Sequence, residues 1–200
     1  MNEIVLMVLL SLAVLLATLC ATLILNRVMK TKKFVFKPVL NICVTTGLTL
    51  VELLLWGICP RVLIGTVLSL ILLYASCKDV SIREADDWLS VMIVALAIGS
   101  ISFDRIGSMV LGAAAVFVPQ LLIAILGKKS KLQIGGADIK ISTATAFLLG
   151  LWSGLFGFML GLLISIVCQL ILTARKKGKS TEPFPLLPYL SVGLMIGYLL

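Results

Sequence analysis

Residues Val39–Ser76 read VLNICVTTGLTLVELLLWGICPRVLIGTVLSLILLYAS, an apolar run broken by Cys59-Pro60-Arg61. A helix that crosses a hydrocarbon layer of about 30 Å needs about 20 mostly apolar residues, with roughly 17–25 the working range. The run is far too long for one crossing, and a proline beside a charge suits a tight turn. It therefore divides into two helices.

The rest of the chain follows the same pattern. Ile4–Leu25 is one apolar run, and Trp88–Phe103 and Ile106–Leu126 flank a short Asp104-Arg105 break. Ile139–Thr173 is again too long for one crossing and carries Gly150, Trp152, Ser153 and Gly154 near its middle. It splits into a short helix, Ile139–Leu151, and a longer one, and Phe184–Leu200 closes the chain. The expected architecture is an all-α, polytopic membrane bundle of about eight transmembrane helices, forming a single domain over residues 1–200.

Composition agrees with a membrane protein. Of the 200 residues 60% are hydrophobic and 13% charged, with a mean hydropathy of +1.19. Soluble domains run at about 45–50% apolar and about 25% charged, so there is too little polar surface here for water. Disorder and a small disulfide scaffold are excluded by the same figures. The five cysteines, Cys20, Cys43, Cys59, Cys77 and Cys168, are scattered without a C-x-x-C pair and read as small apolar packing residues. There is no histidine. Ser-His-Asp and Cys-His catalysis and H-E-x-x-H zinc sites are therefore unavailable, which leaves carboxylates, Lys, Tyr, Ser and Cys.

The net charge is +8. With eight spans, the loops after helices one, three, five and seven hold fifteen of the 17 basic residues, from Arg27 through Lys78 and Lys128 to Lys179. The other loops hold only Arg61 and Arg105. That asymmetry assigns the basic face to the cytoplasm, with both termini outside. Topology accounts for the charge, so no nucleic-acid partner is expected, while anionic membrane lipids are natural companions. The first span is long, carries Glu3 in place of a basic segment and precedes its positive charges, so it reads as an anchor rather than a cleaved signal.

Acidic residues are few. Glu3, Asp104 and Glu182 sit at a terminus or in loops, and Glu52 lies within the second span, where a carboxylate is either structural or functional. Two clusters remain, Lys78-Asp79-Val80-Ser81-Ile82-Arg83-Glu84-Ala85-Asp86-Asp87-Trp88 and Gln133-Ile134-Gly135-Gly136-Ala137-Asp138-Ile139-Lys140. Asp79 closes the third span and Asp138 opens the sixth, so both are expected at the cytoplasmic face. Paired acids there suit a two-aspartate hydrolase, in which an ionised carboxylate takes a proton from water and a protonated one polarises the carbonyl under attack. The small Gly135-Gly136-Ala137 segment permits close approach of a substrate strand to Asp138. The same G-G-x-D could equally be a turn and helix cap.

At these residues the chain resembles the type IV prepilin leader peptidases, membrane aspartyl proteases of the GxGD type. Asp79 matches the aspartate of the family's first motif, Arg83 a basic position after it, and Trp88-Leu89 the aromatic-Leu pair. Gly135-Gly136-Ala137-Asp138-Ile139-Lys140 is similar to G-x-G-D-x-K, and Phe184-Pro185-Leu186-Leu187-Pro188-Tyr189-Leu190-Ser191-Val192-Gly193 to the family's I-P-F-G-P-F-L-A-L-G run. Two departures stand out: Ala85-Asp86-Asp87 replaces Ile-Pro-Asn, and Ala137 replaces the second glycine of the G-x-G-D motif. The connection Asn26–Pro38 is short and has no cysteine, unlike the paired C-x-x-C insert that carries N-methylation in many members.

The resemblance implies a catalytic pair, Asp79 and Asp138, that needs no metal or other cofactor. It also implies a prepilin-like precursor with a short basic leader and an apolar helix, cut at the inner face of the cell membrane without methylation of the new amino terminus. Asp86 and Asp87, with Glu84, are candidates for attracting the basic leader. Lys140 is a candidate for orienting the loop or meeting lipid phosphate. The alternative is a non-enzymatic membrane protein, a small transporter or an assembly subunit, in which the aspartates are helix-end anchors and Glu52 carries a coupled proton.

Overall fold

A computed structural model of the chain describes residues 12–20, Leu23, Arg27, 38–127, 135–175 and 184–200. The basic clusters at 28–37, 128–131 and 176–179, together with Glu3, Gln133, Ile134 and Glu182, lie outside the described residues. About 90% of the described residues are helical and none of them is in a strand. The helices are α1 (12–20), α2 (Pro38–Trp56), α3 (Pro60–Ile82), α4 (Asp87–Gly99), α5 (Ile106–Gly127), α6 (Gly136–Leu149), α7 (Leu151–Arg175) and α8 (Leu187–Leu199). They divide into two compact units, Met1–Ile82 and Arg83–Leu200.

In the first unit the long run around Cys59-Pro60 is indeed two helices. Gly57, at φ +67, ends α2 with its N–H on the Leu53 carbonyl at 2.9 Å, and Pro60 opens α3, where its missing N–H is no loss. The two helices pack against each other, and Thr49 meets Thr66 across them at 3.0 Å.

The second unit is built around α6, which packs against α4, α5, α7 and α8. Ile139, Ile141, Ala144, Ala146 and Leu148 are buried on several sides of it, as expected of a helix with neighbours around most of its circumference, while Lys140 reaches the surface. The second long run divides at a single residue. Gly150 adopts φ +86, a conformation nearly closed to other residues, and its N–H closes α6 on the Ala146 carbonyl. Ser108 Oγ of α5 then accepts the N–H of Leu151 at 3.0 Å and so serves the first turn of α7. α7 and α8 pack tightly through glycines: a Cβ on Gly193 would lie 2.3 Å from the Gly161 nitrogen, and one on Gly197 would lie 2.9 Å from the Gly157 Cα.

Among the described residues four helices are long and apolar enough to cross a membrane, within Val39–Trp56, Pro60–Ile82, Phe103–Leu126 and Leu151–Ala174. About eight spans were expected, and the remaining helices are shorter than these four. α4, α6 and α8 have 13, 14 and 13 residues and rise about 20 Å each, short of the hydrocarbon thickness. α4 ends at Gly99 rather than running to Phe103: Ser100 leaves helical angles at φ −109 and ψ 8, and a 3-10 turn, Phe103–Arg105, follows. The outer faces are strongly apolar. On α7, Phe156, Met159, Leu163, Ile166 and Leu170 recur at helical spacing and are each about half or more exposed. A stripe of that size has no place in water and marks a membrane protein.

Candidate active site

Asp79 belongs to the first unit. It was expected to close the third span near Ser76, but α3 continues to Ile82 and carries Asp79 inside its last turn, half-buried. Ser76 and Ser81 donate to the Leu72 and Cys77 carbonyls at 2.7 and 2.8 Å, so the helix is well formed on both sides of it. Arg83 follows at φ +59, a left-handed residue of the kind that terminates helices.

Asp138 belongs to the second unit and is the third residue of α6, half-buried. Gly135 caps this helix in extended conformation, and the Ile139 N–H reaches back to the Gly135 carbonyl at 3.4 Å. The Asp138 carboxylate folds back on the cap: a Cβ at position 135 would come within 2.8 Å of Oδ2. The two glycines thus do different things. Gly135 makes room for the Asp138 side chain itself, whereas a Cβ on Gly136 would meet nothing within 4 Å. A carboxylate in the first turn also faces the positive end of the helix dipole.

A buried polar link that the sequence reading missed reaches the Asp138 backbone. Ser142 Oγ donates to the Asp138 carbonyl at 2.6 Å, and Gln120 of α5 donates through Nε2 to Ser142 Oγ at 2.8 Å and to the Val116 carbonyl at 3.1 Å. Both side chains are buried. A glutamine inside the apolar α5, near Pro119, was the available signal, since an amide buried among apolar helices must be hydrogen-bonded somewhere.

Of the remaining candidates, the structure brings Lys140 and Asp87 together. Their Nζ and Oδ1 lie 2.8 Å apart, with the side chains 53% and 75% exposed. Asp87 opens α4 and Asp86 caps it in extended conformation, with its own side chain making no cap hydrogen bond. Lys140 lines an open apolar groove of about 480 Å³ between α4, α5 and α6, with Val94, Phe117, Thr143 and Phe147 among its other walls. In the third motif, Phe184 stacks on Tyr189 with centroids 5.0 Å apart and planes 9° from parallel.

The chemistry available is that of carboxylates at helix ends: one in the last turn of α3, one in the first turn of α6, and a paired one at the start of α4. In comparisons with known proteins, no family model matches the chain, and neither a curated protein nor a solved structure matches it significantly.

Proposed function

We propose that the chain is a membrane aspartyl endopeptidase that removes a short basic leader from prepilin-like precursors. Asp79 and Asp138 supply the two carboxylates: the ionised one takes a proton from water, and the protonated one donates to the scissile carbonyl and later to the leaving amine. The reading is supported by three motifs in family order and by one structural observation. The Asp138 carboxylate lies against a glycine backbone in the first turn of a buried helix, where a side chain at 135 would displace it.

In this reading the short helices α4, α6 and α8 and the first span complete eight crossings, with α6 shielded by protein rather than lipid. Both aspartates then face the cytoplasm. The precursor's apolar helix lies in the membrane, and its basic leader meets Glu84, Asp86 and Asp87.

Co-expression with candidate prepilins, followed by mass spectrometry of their new amino termini, tests the proposal. The wild-type chain should yield a shortened, unmethylated precursor. Asp79→Asn and Asp138→Asn should yield none while still inserting in the membrane. Normal processing by either variant would remove the dyad.

The transporter reading is favoured by one observation, the complete burial of Glu52 within α2. Under that reading Glu52→Gln abolishes function, whereas under the peptidase reading it leaves leader cleavage intact.

A further inference from the structure

The first unit contains a polar seam that leader cleavage does not use. Asn41, Thr45, Thr49 and Glu52 are spaced four, four and three residues apart on α2, which puts them on one face, and each is 0% exposed. Among the described residues, neither Glu52 oxygen meets a hydrogen-bond donor. Arg61, at the start of α3, acts on this carboxylate through its charge but makes no hydrogen bond to it, and its guanidinium stacks over Trp56 at 3.9 Å from the ring centre.

Counting protons sharpens the problem. Thr45 Oγ1 donates to the Asn41 carbonyl, Thr49 Oγ1 to the Thr45 carbonyl at 2.9 Å, and Thr66 Oγ1 to the Val62 carbonyl at 2.8 Å. Thr49 and Thr66 also face each other at 3.0 Å. The Thr49 and Thr66 hydroxyls therefore take part in three oxygen–oxygen contacts with two protons between them. With both protons committed to helix carbonyls, the seam presents oxygen lone pairs on the same α2 face as a carboxylate that lacks a donor. A charge buried in that state is strongly disfavoured unless a proton or a cation joins it, since Arg61 acts on it without a hydrogen bond.

We propose that this seam binds a dehydrated monovalent cation of sodium size, held by the Glu52 carboxylate and the Thr49 and Thr66 hydroxyl oxygens. All the donors are oxygens, which selects a hard ion over a thiophilic or imidazole-seeking one. A single carboxylate balances a single charge, whereas calcium takes six to eight oxygens and commonly several carboxylates. Among the described residues no group of three His, Cys, Asp or Glu side chains offers a richer site. The cation joins α2 to α3, and its binding does not depend on leader cleavage.

The test uses the full chain in detergent micelles, melted in sodium chloride and in choline chloride at equal ionic strength, with radiolabelled sodium binding measured on the same samples. Sodium should raise the melting temperature by roughly 3–5 °C per tenfold increase above half-saturation, and choline should not. Thr49→Val should weaken both the shift and the binding. Glu52→Gln should abolish both and should melt no lower than the wild type in choline, because a neutral amide removes a buried charge that no hydrogen bond satisfies. Identical melting of the wild type in the two salts, with no bound sodium, would overturn the site and leave a proton as the partner of Glu52. So would a sodium response that survives in Glu52→Gln, or a loss of stability in that variant of equal size in both salts. Should Glu52→Gln fail to fold, Thr49→Val and direct binding to the wild type still decide the matter.

Discussion

Gln120 and Ser142, on neighbouring helices of the second unit, are joined by a 2.8 Å hydrogen bond that continues through Ser142 Oγ to the backbone carbonyl of Asp138. The link ties the first turn of α6 to α5. Ser142→Ala removes the acceptor of Gln120 and the donor to Asp138, while Gln120→Leu leaves the Ser142–Asp138 bond in place. Each should cost about 0.5–1.5 kcal/mol, and Ser142→Ala the more of the two. Because they share one bond, the double variant should lose less than the two added together. Reversible unfolding in mixed micelles measures the cycle, and strict additivity would show that the bond contributes nothing.

Gly135 and Gly136 should separate under alanine substitution. Gly135→Ala drives the Asp138 carboxylate from its place against the cap, while Gly136→Ala enters open space at the start of a helix. Under the proposed function, a displacement on the order of 1 Å at a reacting group can cost about 100-fold in rate. Leader cleavage by Gly135→Ala should therefore fall by at least tenfold with Gly136→Ala near wild type. Initial rates on a precursor peptide in micelles provide the measurement, and equal rates for the two would dissociate Gly135 from the chemistry.

The Lys140–Asp87 pair is short but mostly in solvent, so its contribution to stability is small. Lys140→Met and Asp87→Asn should each change the unfolding free energy by less than about 1 kcal/mol, with any coupling fading as salt rises. A separate effect on cleavage is expected of Asp87→Asn if Asp87 receives the leader. In that case KM for basic-leader peptides rises while kcat holds, and a neutral leader is unaffected.

Much of this architecture was legible in the sequence because the hydrocarbon thickness sets a length that apolar runs must match. The breaks at Pro60 and Gly150 were visible for the same reason, since the runs containing them are too long for one span and carry residues that end helices. The shortness of α6 was legible, but the lengths of α4 and α8 were not. They are decided by local events, such as Ser100 leaving helical angles after Gly99, rather than by the membrane. Asp79 was placed at the end of a span, yet α3 runs on for three residues, because Val80, Ser81 and Ile82 have no reason to leave a helix. The Gln120–Ser142 link and the glycine contacts between α7 and α8 depend on which faces meet, and periodicity within one helix does not contain that information.

The contact of Gly161 with Gly193 makes the sharpest stability prediction. Gly157 and Gly161 on α7 and Gly193 and Gly197 on α8 repeat at four-residue spacing, so the two backbones can approach closely where each lacks a side chain. A methyl group at 193 would lie 2.3 Å from the Gly161 nitrogen and 2.4 Å from the Gly157 carbonyl oxygen, both backbone atoms that no rotamer change can move. Gly193→Ala must therefore part the helices, at about 1–3 kcal/mol, and Gly193→Val more. Gly47→Ala is the matched control, because a Cβ there meets nothing within 4 Å and alanine favours a helix interior by roughly 1 kcal/mol. Thermal unfolding in micelles should show Gly193→Ala melting lower by roughly 2–10 °C and Gly47→Ala melting at or above the wild type. A Gly193→Ala protein with unchanged melting would mean that α7 and α8 do not cross at their glycines.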